Sequence, residues 1–257
     1  MGLFDKKYCD VCGQKIGLLG NRKLEDGNLC KDCANKLSRW FDDRRNSTVD
    51  QIKAQLAYRE ENARKVEAFR ATRTFGRSTK VLLDEDKRQF MVVKTNNIKT
   101  ENPDVLDFSQ VTGCDLDVSE NQGEEKRRTD DGKYVSYVPP RYYWDYDFTM
   151  TIRVNHPFFD DMIFELNGSS VRIESNSMSR GVRGMSVFNP KNHPDYLEYA
   201  EMAREIKEAL TQMQKETRES IAAANAPKVA VVCTACGATT MPDANGCCEY
   251  CGTPVKR

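Results

Sequence analysis

Four Cys-x-x-Cys pairs give this chain its chemistry. Cys9-Asp-Val-Cys12 and Cys30-Lys-Asp-Cys33 lie toward one end, Cys233-Thr-Ala-Cys236 and Cys248-Glu-Tyr-Cys251 toward the other. Each pair offers two thiolates from one short loop, and two pairs supply the four soft donors that tetrahedral zinc takes. The expected ligands are Cys9, Cys12, Cys30 and Cys33 in one site and Cys233, Cys236, Cys248 and Cys251 in the other, each holding one structural Zn2+. Four thiolates close the coordination sphere and leave no position for water or substrate, so neither ion is expected to be catalytic. Iron in the same tetrahedron and thiol redox chemistry stay open as alternatives. So does Cys247 as the ligand in place of Cys248, although that choice breaks the two-residue spacing to Cys251.

The elements that must position these thiols differ between the two ends. Gly13 follows Cys12 and tolerates the positive φ that closes a knuckle. Cys33 instead runs into Ala34–Phe41, good helix formers with Leu37, Trp40 and Phe41 on one face. Between the pairs, Asp26-Gly27 is a hairpin turn signal. Knuckle, hairpin and helix in that order predict a treble-clef finger. At the other end glycine follows both pairs, Gly237 and Gly252, which predicts a symmetrical zinc ribbon.

The middle of the chain supplies the body. Ser47-Thr-Val-Asp50 reads as a capping box opening a helix with Val49, Ile52, Leu56 and Tyr58 on its apolar stripe and Arg59, Arg64 and Lys65 on a solvated face. Short β-like runs follow at 81–83, 90–93, 105–108, 111–118 and 162–166. In "RYYWDYDFTMTIRVN" Tyr142, Trp144, Tyr146, Phe148, Met150, Ile152 and Val154 alternate with polar residues, the signature of a strand with one face buried. The polar run 119–133 reads as a loop joining strands, with Lys126–Arg128 free to touch an anionic lipid or partner. A last helix after Pro194 carries a seam of Tyr199, Ala203, Ile206, Leu210 and Met213. About seven strands closed by one amphipathic helix is similar to the order in pleckstrin-homology-like domains. The fold class expected is α+β: treble-clef finger at 1–42, helical connector at 43–78, PH-like antiparallel β domain with its C-terminal helix at 79–215, linker at 216–230 and zinc ribbon at 231–257.

"YCDVCGQKIGLLGNRKLEDGNLCKDC" followed by "STVDQIKAQLAYREEN" resembles the bacterial and phage N-terminal zinc-finger family known as domain of unknown function 4428. Such proteins look like this one beyond the finger, with a PH-like or GRAM-like β domain. The resemblance implies zinc ligation by Cys9, Cys12, Cys30 and Cys33 and nothing catalytic.

Composition narrows the function. Lys+Arg and Asp+Glu both number 39, a net charge of zero, which argues against a chain built mainly to neutralise phosphates. No apolar run approaches the roughly 18 residues of a membrane span, and a cytoplasmic location is expected, where clustered cysteines bind metal rather than form disulfides. His156 and His193, both in Asn-His-Pro contexts, read as turn and helix-start residues. Asp84-Glu85-Asp86 reads as a hairpin turn, Asp160-Asp161 as a solvated pair, and Cys114 as a buried thiol with no basic neighbour. With no convergent catalytic set, the expectation is a non-enzymatic, zinc-stabilised interaction or adaptor protein whose β domain binds a protein, peptide or membrane surface. The alternative is a nucleic-acid-binding zinc-ribbon protein using the basic 44–80 segment and the ribbon, with Lys256 and Arg257.

Overall fold

A computed structural model describes residues 6–94, 97–175, 188–225, 230–243 and 246–255. The chain is mixed α+β and divides into two compact units, 1–215 and 216–257. The first unit opens with strands β1 (Arg22–Lys23) and β2 (Asn28–Leu29), a one-turn helix α1 (Lys31–Ala34) and helix α2 (Val49–Ala68). Then come β3 (Arg73–Gly76), β4 (Lys80–Asp84), β5 (Gln89–Val93), the short helix α3 (Ile98–Glu101) and β6 (Leu106–Asp107). Strands β7 (Val111–Arg128), β8 (Tyr134–His156), β9 (Phe159–Glu165) and β10 (Val171–Glu174) follow, and then helix α4 (Pro194–Asn225), which continues into the second unit. The second unit adds β11 (Val231–Val232) and β12 (Thr239–Thr240).

Two antiparallel sheets build the body. One is the meander β3-β4-β5-β6; in the other β7 pairs with one edge of β8, while β9 and β10 share the opposite edge. Their facing sides and α4 enclose one core: Val81, Leu83, Phe90 and Leu106 from the first sheet, Tyr146, Phe148, Met150 and Ile152 from the second, and Ala203, Ile206 and Leu210 from α4. The alternation along β8 thus selects the buried face as expected, although Tyr142 at its outer end is exposed. The first sheet is covered on its other side too. Val66 packs there with Leu82, Met91, Val93 and Val105, so β4 and β5 read as unbroken apolar runs because both faces are buried.

Four local expectations are corrected. The capping box sits one residue later: Thr48 accepts from the Gln51 N–H and Gln51 Oε1 accepts from the Thr48 N–H at 2.8 Å, while the Ser47 hydroxyl donates to the Asp43 carbonyl. Cys33 does not open a long helix. Cys30 caps α1, which stops at Ala34, and Leu37 and Phe41 pack on the finger core from irregular chain. The run 119–133 is not a loop. Residues to Arg128 are β7, laddered against β8, and only a turn at Thr129–Lys133 separates them. Polarity misled here because a ribbon solvated on both faces needs no apolar alternation.

The fourth correction concerns α2. Its inward face is Ile52, Gln55, Arg59, Asn62 and Val66, at spacings of three and four, so burial follows the helical period while hydrophobicity does not. Arg59, expected in solvent, forms a buried ion pair with Asp104 at 2.7 Å. The Ser38 hydroxyl donates to the other Asp104 oxygen at 2.7 Å and the Tyr58 hydroxyl to the first at 3.0 Å. Asn62 bridges the Pro103 carbonyl and the Val105 N–H. The helix therefore grips the finger at Lys36 and Ser38 and the β5–β6 connection at Asn102–Val105.

Two stability measurements test this packing. Gly76 has φ +93°, and a Cβ there would collide with the Thr79 carbonyl oxygen. Gly76→Ala is expected to cost about 2 kcal/mol or more, read from the urea midpoint. His156 stacks on Phe159 at 4.2 Å and meets Tyr58 edge-on at 4.8 Å. Burial holds its imidazole below the ordinary value, Asp104 pulling it up and Lys65 down. A depressed histidine favours the fold above its unfolded value of about 6.5 and loses that contribution as pH falls through the folded value. Thermal stability is expected to drop on acidification from neutral pH, and His156→Phe to flatten that part of the profile.

Candidate metal centres

Backbone geometry builds three alike knuckles and one helix cap. At Cys9, Cys233 and Cys248 the cysteine N–H donates to the carbonyl five residues on, and its carbonyl accepts from the glycine N–H four residues on, all at 2.8–2.9 Å. The glycines Gly13, Gly237 and Gly252 have φ of 74°, 73° and 70°, the left-handed region that glycine adopts without strain. Cys30 does the other job. Its backbone is extended, φ −76° and ψ 162°, and its Sγ accepts from the Cys33 N–H at 3.4 Å at the start of α1. The two halves of the first site differ because one is a closed turn and the other a helix N-terminus.

Further contacts fix the first knuckle on the hairpin. Asp10 N–H donates to the Asn28 carbonyl at 2.9 Å, and Asn28 N–H returns to Asp10 Oδ2 at 2.6 Å. Leu24, Leu29 and Ile52 are fully or nearly fully buried beside Cys9, Cys30 and Cys33. In the second unit β11 and β12 form the hairpin of the first ribbon knuckle, and Cys247 bridges to Pro254 beside the second.

The structure brings all eight expected sulfurs into two groups, and within each group all Sγ atoms lie within 4.8 Å of one another. Cys12 and Cys30 are 3.7 Å apart, Cys233 and Cys251 3.6 Å, Cys236 and Cys248 3.8 Å. A tetrahedron with metal–sulfur bonds of about 2.3 Å has edges of about 3.8 Å. Each cluster therefore fits one metal ion. Cys247 lies outside its cluster, its N–H donating to Asp243 Oδ1 at 2.8 Å.

Thiol electrostatics point the same way. At Cys9 burial pushes the thiol up, but backbone N–H groups of Cys12, Cys30 and Val11 outweigh it and bring the value to about 7. Thr253, through its hydroxyl and its backbone, lowers Cys251 to about 6. At each centre another thiol moves oppositely. Burial and the thiols of Cys30 and Cys12 push Cys33 up. At Cys236 the Ala238 N–H lowers the value, yet Cys251, burial and the remaining thiols raise it to about 12. Sulfurs this close obstruct one another's ionisation, and a central cation removes the obstruction.

The remaining chemistry-bearing residues do not converge. Cys114 stands apart in β7, and burial raises its thiol to about 11. The sequence suggested no basic neighbour, yet Lys207 and Arg153 both face it; their pull is outweighed by burial together with Asp115. Asp84 is buried in the β4–β5 turn, where it accepts from the N–H groups of Arg70 and Lys87. His193 Nδ1 accepts from the Asp195 N–H at the start of α4. Much of the basic excess in 44–80 is engaged internally: Arg44 donates to the Lys23 carbonyl, Arg59 is buried, Arg73 pairs with Glu85 and Arg77 with Glu198. Lys256 and Arg257 lie outside the described residues.

One surface escaped the sequence reading. A cleft of about 420 Å³ is walled by Trp40, Phe41, His156 and Phe158 and rimmed by Asp42, Asp43, Asp160 and Asp161. The two acidic pairs are far apart in the chain, so no local motif reveals that they meet. No described helix is long and apolar enough to cross a membrane.

Neither a curated protein nor a solved structure matches the chain. Residues 7–55, which carry the first four-cysteine cluster and the first turns of α2, match the model of the family described as Domain of unknown function (DUF4428).

Proposed function

We propose that this protein is a non-enzymatic interaction module, braced by two structural zinc ions, whose PH-like β body and attached finger present a binding surface for a protein or peptide partner. The carrying observation is the closure of both clusters: four sulfurs at tetrahedral spacing surround each centre and reserve no position for a substrate. Zinc fits the all-sulfur donor set and the spacing better than hard cations, which take oxygen.

The cleft between the finger's exit and the β8–β9 turn is the surface we assign to the partner. Four carboxylates over an aromatic wall, with no lysine or arginine among the lining residues, suit a lysine- or arginine-bearing peptide and repel phosphates. Titration of the full chain with a fluorescent lysine-rich peptide is expected to saturate, with affinity weakened roughly 10-fold in Asp160→Asn/Asp161→Asn and by added salt. Binding of duplex DNA or RNA in preference to the peptide, with the steep salt dependence of phosphate contacts, would replace this reading with a nucleic-acid one. Elemental analysis of the same material is expected to return two equivalents of zinc.

A further inference from the structure

The β7–β8 pair runs past the end of its sheet. β10 leaves β8 at the Glu174–Tyr143 pair, whereas β7 stays paired with β8 from Gly123–Tyr143 to Glu125–Arg141 and, past a register shift in which Tyr137–Pro140 of β8 drop out of the ladder, from Lys126–Ser136 to Arg128–Tyr134. A free two-stranded ribbon is marginally stable in water. Among the described residues no strand pairs with the outer edge of β7, which leaves a row of backbone donors and acceptors available along it.

Protective edges carry charges that repel a second copy. β7 carries the reverse arrangement, with Glu124 and Glu125 immediately before Lys126, Arg127 and Arg128. None of these five forms an ion pair among the described residues. Glu125 even lies opposite Arg141 in the ladder, yet the Arg141 guanidinium stacks over Tyr137 at 4.1 Å. An acidic block followed by a basic block is self-complementary when the strand meets its own copy antiparallel.

We propose that the outer edge of β7 pairs antiparallel with β7 of a second copy of this chain, centred on Lys126, placing Glu125 opposite Arg127 of the partner subunit and Glu124 opposite Arg128 of the partner subunit. A twofold axis through an antiparallel pair requires one residue to face its own copy. Centring on Glu125 would face that acid with itself, match only Glu124 with Lys126, and leave Arg127 and Arg128 opposite Gly123 and Gln122. Centring on Lys126 faces that cation with itself but matches both acids with cations, and symmetry forms each match twice. The two ribbons become one four-stranded sheet, in which the outer edge of each β7 is paired. Self-pairing is separate from partner binding at the cleft, and a monomer would leave the function proposed above intact.

Sedimentation of the zinc-loaded full chain over a concentration series at low salt tests it. A concentration-dependent dimer is expected that weakens with salt. Glu124→Lys/Glu125→Lys and Lys126→Glu/Arg127→Glu/Arg128→Glu are each expected to weaken self-association by roughly 100-fold, because like charges are then brought together across the interface. An equimolar mixture of the two is expected to restore the dimer as a heterodimer. Should either reversal fail to fold by circular dichroism, Glu125→Gln and Arg127→Gln replace it, with a loss of several-fold. A wild-type monomer throughout, a dimer indifferent to these changes, or a mixture that stays monomeric would each overturn the proposal.

Discussion

Cys33→Ser is expected to lower bound metal from two equivalents to one and to unfold the finger around it, whereas Cys247→Ser leaves both equivalents in place. Among the described residues the buried part of the finger's core is Ile16, Leu24, Leu29 and Ile52 besides three of its own cysteines, with half-buried side chains such as Leu37 and Phe41 packed against it. Apolar burial on that scale does not offset the entropy of ordering the segment. A structural zinc ion supplies about 10–16 kcal/mol of apparent binding free energy in small fingers, and it is lost when one of four donors is hard and weakly ionised. Metal analysis and limited proteolysis read the result. New cleavage sites are expected among residues 7–48, with the β body still protected. Retention of two equivalents with unchanged protection would mean that Cys33 is not a ligand.

The second large effect belongs to the Arg59–Asp104 pair. Removing one partner leaves a buried charge without compensation, so Arg59→Met and Asp104→Ala are each expected to destabilise the first unit by about 3–5 kcal/mol in denaturant titration. Asp104 suffers further because the Ser38 and Tyr58 hydroxyls both donate to it. Arg59→Met combined with Asp104→Ala is expected to cost less than the sum, since neither charge is then stranded. Equal additivity would show that the two side chains act independently.

What the sequence disclosed follows from how locally each feature is encoded. A Cys-x-x-Cys-Gly knuckle is a closed turn of five residues, so its ligands and its backbone can be read from spacing alone. The period of β8 is likewise local, and its buried face at Tyr146, Phe148, Met150 and Ile152 is visible as alternation. The inward face of α2 is not. Gln55, Arg59 and Asn62 look like solvent residues until Ser38 supplies the partner of the first and Asn102–Val105, from a distant connection, those of the other two. β7 beyond Val118 failed for a related reason: its strand character comes from the ladder with β8 and leaves no mark in hydropathy. The acidic cleft is a meeting of two segments remote in sequence, and only the tertiary fold puts them side by side.

The family match ends at residue 55, whereas α2 continues without interruption to Ala68. The boundary of the shared segment thus cuts a helix in mid-course, upstream of the residues that clasp the β5–β6 connection. Grafting or excising the cysteine-bearing head at that point would sever its anchor, so evolution and engineers alike would have to carry the whole rod along as the transplantable piece.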